Sequence, residues 1–242
     1  MGVRTYFRSP LAVFWTLVGL CLVAGVVAVS VRLGALAGGS PFVAGPSAAG
    51  GFANAAFVSV FALAVVGVSA LVWLPCSLAV AYAVGNETRG RPVSLGDSIE
   101  LLRSRRTPLY RWVKTRLAID PIADRILTDE ADVRPAEVAV GCDAFVVPVL
   151  ALDAPTLRAA VGRANRAIPR PGRRRVLING FGLTGLLIAG AVIAGTVRSG
   201  VLPPTAILAL AAAVVGAVFT AAIDTAWRVG TYVGQDIDEG FV

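Results

Sequence analysis

The chain has 242 residues, of which 56% are hydrophobic and only 15% charged, and its formal net charge is +7. Soluble domains hold about 45–50% apolar and about 25% charged residues. This excess of apolar side chains therefore excludes an ordinary soluble core and predicts a lipid-facing surface. Most of the positive charge lies in one central segment between apolar runs, so anionic lipid headgroups are the predicted partner and nucleic acid is not.

Histidine is absent, which removes the commonest metal ligand and general base. The three cysteines, Cys21, Cys76 and Cys142, lie far apart in the sequence and form no CxxC pair. They are predicted to be buried, inert thiols. The sequence therefore predicts no metal site and no cofactor.

The first apolar run, residues 11–29, carries no charge. Roughly 20 apolar residues, at about 1.5 Å each, cross the ~30 Å hydrocarbon core of a bilayer. A cleaved signal peptide is the alternative, because Ala35-Leu36-Ala37 fits a cleavage site. The run is longer than the ~7–15-residue core of a signal peptide, so a transmembrane helix is favoured.

The second apolar run covers about residues 55–84 and follows a Gly-, Ser- and Pro-rich stretch at 38–51. That stretch is predicted to be an external loop. The run is longer than one crossing needs, so it must tilt, kink or extend beyond the bilayer. Pro75, which lies inside it, predicts a kink.

Residues 85–175 form a basic loop with seventeen Arg and Lys and eleven Asp and Glu. Four amphipathic helices are predicted there from their start signals. Two interpretations stay open: the helices lie on the membrane surface, or they pack together as a small cytosolic bundle. The start signals are Ser94 with Asp97, Thr107-Pro108, Asp120-Pro121 and Asp153 to Pro155, and the first helix has Leu95, Ile99 and Leu102 on one face.

Within this loop, residues 138–152 form a fifteen-residue apolar segment that contains Asp143 and Pro148. Runs of ~10–14 residues are more often re-entrant, interfacial or buried than spanning. If the segment crossed, the arginines of 158–175 would lie outside, against the positive-inside rule. It is therefore predicted not to cross, and the re-entrant and interfacial alternatives both stay open.

Two further crossings are predicted at about 176–197 and 205–223. With four crossings, twenty Arg and Lys lie inside and only Arg32 and Arg198 lie outside. The positive-inside rule then places both termini in the cytosol at the cell membrane. The predicted fold is an all-α integral membrane helical bundle, a single membrane domain over residues 1–242.

Small residues are frequent in the third crossing, and in the fourth they recur at four-residue spacing. In lipid, such spacing lets two helix backbones approach closely. Helix packing is therefore predicted, with a channel lined by the same residues as the alternative. The residues are Gly185 and Gly190 in the third crossing and Ala209, Ala212, Ala213, Gly216 and Ala217 in the fourth.

Two carboxylates in apolar surroundings are the candidate functional or structural polar residues, because ionisable groups near a span are seldom incidental. Asp224 has Arg228 four residues on, the spacing of a helical ion pair, and Asn179 lies at a similar predicted depth in the neighbouring crossing. A hydrogen bond between Asn179 and Asp224 is predicted. Asp143 is the second candidate, with the wet side of an interfacial helix as its structural interpretation.

The stretch AFVVPVLALD at 144–153, the following TLRAAVGRANRAI and the tail TYVGQDIDEGF resemble a family of prokaryotic multi-pass membrane proteins. In that family, amphipathic cytosolic helices precede a "VVPVLA-acidic" element, a basic helix and a final hairpin of spans. The resemblance covers roughly the last 150 residues. It implies a shared membrane fold, and it implies no activity and no catalytic residues.

Motifs of several enzyme classes are absent, namely GxSxG, the P-loop, HExxH and the DGxxAR-type metal motif of lipid headgroup transferases. The leading interpretation is a non-enzymatic membrane module that scaffolds, regulates or assembles, as a homo-oligomer or with a protein partner. A transporter or channel component is the alternative, and a lipid-modifying membrane enzyme is the third.

Overall fold

A computed structural model describes residues 2–38, 48–117, 133, 137–138, 142–167 and 204–239. Throughout these ranges the regular secondary structure is helical. The α-helices are α1 (Gly2–Arg8), α2 (Pro10–Gly38), α3 (Ala48–Thr88), α4 (Leu95–Ser104), α5 (Arg106–Leu117), α6 (Val146–Leu152), α7 (Leu157–Ala167) and α8 (Pro204–Glu239).

Three of these helices are long and apolar enough to cross a membrane. The qualifying segments are Pro10–Gly34 in α2, Ser59–Thr88 in α3 and Ile207–Gly234 in α8. They confirm the predicted all-helical membrane fold. The crossing predicted at 176–197 lies outside the described residues.

Two of the long helices extend beyond the predicted crossings. Helix α3 has 41 residues and continues through Pro75, and α8 has 36 residues, so it passes well beyond the predicted end at 223. From Ala222 into this extension of α8 the buried apolar residues recur at helical spacing, as Ala222, Ala226, Val229 and Val233. One apolar face packed against protein is enough to prolong a helix, whereas a hydropathy run records only the part that is apolar on all sides.

The chain forms two compact units. The loop unit contains the described residues within 1–16, 75–176 and 222–242, and the span unit contains those within 17–74 and 177–221. Helices α2, α3 and α8 contribute residues to both units.

The core of the span unit is aliphatic and is supplied by α2, α3 and α8. Ala213 and Ala217 of the predicted small-residue set are buried, whereas Ala209, Ala212 and Gly216 are exposed. The buried face of α8 in this unit thus combines Ala213 and Ala217 with larger aliphatic side chains. Gly185 and Gly190 lie outside the described residues. The core residues are Val23, Val27, Val65, Leu210, Ala213, Val214 and Val218.

The loop unit has a helical core of its own, in which α5, α6 and α7 pack together. The apolar segment predicted at 138–152 contributes a 3-10 turn at Asp143–Phe145 and then α6, which is bent by 118° from α7. Most of the apolar side chains in its described part, 142–152, are buried. The core includes Leu109 and Trp112 of α5, Phe145, Val146, Val149 and Leu150, and Leu157, Val161 and Ala164 of α7.

The N-terminal helix α1 packs closely on α8 within the loop unit. A Cβ added to Gly2 would collide with the carbonyl oxygen of Ala226 and lie 2.9 Å from the Cα and N of Gly230. Tyr6, one turn later, is fully buried, and its hydroxyl donates a hydrogen bond to Oγ1 of Thr16 (3.0 Å). Glycine at position 2 is therefore a steric requirement of this contact.

Two glycine-to-alanine substitutions should shift stability in opposite directions. Gly2→Ala should lower the melting temperature in detergent, because a rigid backbone meets the new methyl group and α1 must move away from α8. Gly162→Ala should raise the free energy of unfolding by about 0.5–1 kcal/mol, because it adds a better helix former in α7 where nothing lies within 4 Å. Equal melting temperatures for the two variants would contradict the close packing of α1 on α8.

Candidate polar site of the loop unit

Three segments of the loop unit meet at the carboxylate of Asp153, which directly follows α6. Arg89 donates two hydrogen bonds to it, Nη1 to Oδ1 and Nη2 to Oδ2, each 2.9 Å long. The hydroxyl of Tyr232 in α8 donates a third to Oδ2 (2.7 Å). One carboxylate thus joins the end of α3, the end of α6 and α8.

The position of Arg89 is set by the way in which α3 ends. Gly90 adopts a positive φ of 72°, a conformation that favours glycine. The amide of Gly90 donates to the carbonyl of Glu87 (3.0 Å) and the amide of Arg91 donates to the carbonyl of Asn86 (2.9 Å). This pair of bonds is the Schellman arrangement. The local sequence NETRG thus ends the helix at Thr88, with Arg89 as its C-cap residue.

Asp153 has a different role from the one its sequence position predicts. As part of an Asp-Ala-Pro start signal it is predicted to open the next helix, but α7 begins at Leu157. The cap is supplied by Thr156, whose Oγ1 accepts a hydrogen bond from the amide of Ala159 (3.3 Å). A two-pronged bond to arginine is stronger than a neutral cap, so the carboxylate is held by Arg89.

The surroundings of Asp153 favour its charged form. Its side chain is 18% exposed and that of Arg89 is 14% exposed. Burial alone would raise the pKa of Asp153, but the hydrogen bonds from Arg89 and Tyr232, together with the charges of Arg89 and Arg163, lower it below its ordinary value. Arg163 also donates to the backbone carbonyl of Asp153 (3.0 Å). The site is therefore a charged carboxylate that is held in place by neighbouring arginines.

A second polar link joins α8 to the turn before α6. Asp224, which is buried, forms an ion pair with Arg228 four residues later. Nη1 of Arg228 also donates to the backbone carbonyl of Ala144 (3.2 Å). Asp143, half-buried, begins this turn. Asn179, the predicted partner of Asp224, lies outside the described residues.

A third link joins the junction of α1 and α2 to α3. Oγ of Ser9, which is fully buried, donates to Oε1 of Glu87 (2.7 Å) and accepts a hydrogen bond from the amide of Ala12 (3.2 Å). Ser9 therefore caps the start of α2 and links it to α3 with one hydroxyl group.

Together these contacts make a set of links between helix ends. Within the described ranges, no three His, Cys, Asp or Glu side chains lie close enough together to hold a metal ion. Sequence reasoning proposed Asp143, Asp224 and Arg228 as candidates, of which Asp224 and Arg228 form the ion pair described above, and it missed the contacts of Arg89, Tyr232 and Ser9. One signal was available for Asp153, which is the last acidic residue before a stretch of seven arginines that runs to Arg175.

Comparison with protein-family models, with curated proteins and with solved structures found no match. The resemblance to a family of multi-pass membrane proteins stays a prediction. Two of the three segments that carry it contain Asp153 and Tyr232, which the structure brings within hydrogen-bond distance.

Asp153→Asn should destabilise the protein at pH 7 and make its melting temperature depend less on pH in the acid range. Loss of the charge weakens the bonds to Arg89 and Tyr232 and should cost about 2 kcal/mol. Because the native pKa is lowered, the stabilisation by Asp153 is complete above its ordinary pKa of about 4 and is lost as the pH falls below that value. Melting temperatures in detergent between pH 7 and pH 3 measure both effects.

Asp97→Asn is the matched control for this experiment. Hydrogen bonds from the backbone and side chain of Ser94 also lower the pKa of Asp97, but its carboxylate is exposed on α4. Its substitution should alter the melting temperature much less than Asp153→Asn does. An Asp153→Asn variant as stable as the parent at pH 7, with the same acid dependence, would refute the linking role.

Proposed function

We propose that this chain is a non-enzymatic membrane module that uses its loop unit as a rigid scaffold for assembly, with a second copy or with a protein partner. The observation that carries the proposal is the Asp153 link. A half-buried carboxylate that already accepts three hydrogen bonds from two other segments serves to fix those segments to one another. Such rigidity suits a surface that partners recognise, because less ordering is needed on binding.

The proposed orientation places the loop unit, and with it both termini, in the cytosol. The described N-terminal helix, the described part of the central loop and the C-terminal part of α8 belong to one compact unit. This grouping supports an even number of crossings. The arginine excess of residues 85–175 supports the cytosolic side, since basic loops are retained there.

The distribution of polar groups favours a scaffold over a transporter. In the loop unit, Arg89 binds Asp153 from a distant segment and Arg228 binds Asp224 within α8. The core cluster of the span unit consists of Val, Leu and Ala. A transport path uses ionisable or polar groups that face a cavity between spans. The transporter interpretation therefore has less support from these residues than the scaffold does.

The topology can be tested by labelling single cysteines with a membrane-impermeant maleimide. In a Cys21→Ala background, whose remaining Cys76 and Cys142 are buried, Arg166→Cys should react only after the cells are opened. Ser40→Cys, in the predicted external loop, should react in intact cells. Labelling of Arg166→Cys in intact cells would reverse the proposed orientation.

Assembly through the loop unit can be tested with a photo-crosslinking amino acid introduced in living cells. Exposed positions Pro155 and Arg166 of the loop unit should give discrete protein adducts, whose masses identify a second copy or a partner. Leu63 and Leu208, exposed positions of the span unit, are the controls and should give none. Solute-selective flux in proteoliposomes, together with no adduct at the loop unit, would replace the scaffold by a transporter.

A further inference from the structure

Helices α4 and α5 expose apolar side chains in an unusual place. Almost all the large hydrophobic residues exposed in the described ranges lie in or next to segments able to cross a membrane. The exceptions are Leu95 (44% exposed), Ile99 (53%) and Tyr110 (62%), all on α4 and α5. An exposed apolar patch outside the spans marks a surface that contacts a partner or a lipid.

The arrangement of these residues is regular. Leu95, Ile99 and Arg103 follow one another at four-residue intervals on α4 and are all exposed, so they share one side of the helix. Arg106 and Tyr110 have the same spacing and the same exposure on α5. The opposite sides, with Leu101, Leu109 and Trp112, are buried. The helix pair therefore packs on protein with one side and presents apolar and cationic groups on the other.

Helix α7 has a similar amphipathic pattern, but its apolar side is covered by protein. Its apolar residues Leu157, Val161 and Ala164 are buried in the core of the loop unit. Of the loop helices in the described ranges, α4 thus keeps an apolar edge for a contact outside the chain. The sequence leaves two interpretations open for these helices, packing together in a small bundle and lying on the membrane surface. The first applies to α7, and the second suits α4.

The charge of this surface indicates its occupant. Residues 95–117 contain six basic and two acidic residues, and one of the acidic ones, Asp97, is engaged in the capping box with Ser94. Exposed Arg103 and Arg106 lie next to the apolar edge. Arginine binds phosphate with two parallel hydrogen bonds, and basic amphipathic helices bind at the headgroup level of anionic bilayers.

The bilayer is within reach of α4. The segment Ser59–Thr88 is apolar enough to cross the membrane, and Ser94, the N-cap of α4, follows Thr88 by six residues. Six extended residues span at most about 20 Å. The chain therefore carries α4 no further than this from the end of a membrane-crossing segment.

We infer that α4 and α5 bind the anionic phospholipid headgroups of the membrane that the chain crosses. Leu95 and Ile99 enter the interface, and Arg103 and Arg106 bind the phosphates. This inference deepens the proposed function, on which it rests, by naming the lipid that positions the scaffold.

Depth-dependent quenching in nanodiscs tests the inference. The full chain, with Ile99→Cys in the Cys21→Ala background, carries a bimane label in discs of phosphatidylcholine with increasing phosphatidylglycerol. Bromolipids should quench the label as the phosphatidylglycerol fraction rises, and 1 M salt should reverse this. Arg103→Gln with Arg106→Gln should raise severalfold the fraction needed for half-maximal quenching, since each arginine near an anionic leaflet contributes about fivefold.

Arg166→Cys, labelled in the same way on the exposed side of α7, is the control and should show no lipid-dependent quenching. Equal quenching at position 99 without phosphatidylglycerol would overturn the assignment to anionic headgroups. An absence of quenching in every disc would overturn the membrane contact itself, and a protein adduct from a crosslinker at position 99 would assign the surface to a protein instead. Both leaflets of a disc have the same lipid composition, so this experiment does not depend on the orientation of the chain in the membrane. A negative result here is therefore independent of the cysteine-labelling and loop-unit crosslinking tests.

Discussion

A carboxylate that is mostly withdrawn from water must have a cation beside it, and this constraint organises the loop unit around Asp153. Removing one partner of such a pair leaves a charge that costs several kcal/mol to keep buried. Separating Arg89 from Asp153 therefore costs free energy, and the end of α3 is fixed to the end of α6. Tyr232 adds α8 to the same point. One anionic group thereby fixes the end of α3, the end of α6 and helix α8 to one another.

The two compact units use different physical means of holding their helices. In lipid, apolar side chains gain little by leaving one apolar medium for another, so helices associate by close packing. The valine-rich cluster of the span unit fits this requirement. In the loop unit, the hydrophobic effect drives the burial of Phe145, Leu150 and Trp112. The ion pairs and hydrogen bonds then select which helix ends are neighbours, because a mismatched carboxylate or arginine is penalised.

The sequence predicts those features that depend on neighbouring residues. Apolar runs identify α2, α3 and α8, and the capping box of Ser94 and Asp97 marks the start of α4 as predicted. Arg89 and Asp153 are 64 residues apart. With seventeen basic and eleven acidic residues in the basic loop, no local rule selects this pair. The extension of α8 beyond 223 escaped prediction for a related reason, since its buried face packs on partners distant in the sequence.

Amphipathic periodicity indicates that one side of a helix will leave water, but it does not indicate which apolar medium will receive it. Helices α4 and α7 illustrate the difference, since α7 turns its apolar side into the loop unit and α4 keeps Leu95 and Ile99 outside. The end of α3 determines that the apolar side of α4 stays outside the loop unit. The Gly90 turn directs the chain towards Ser94, and the bond from Arg89 to Asp153 holds that turn in place. The internal ion pair and the proposed lipid contact are thus parts of one arrangement, in which a fixed helix end determines how α4 is presented.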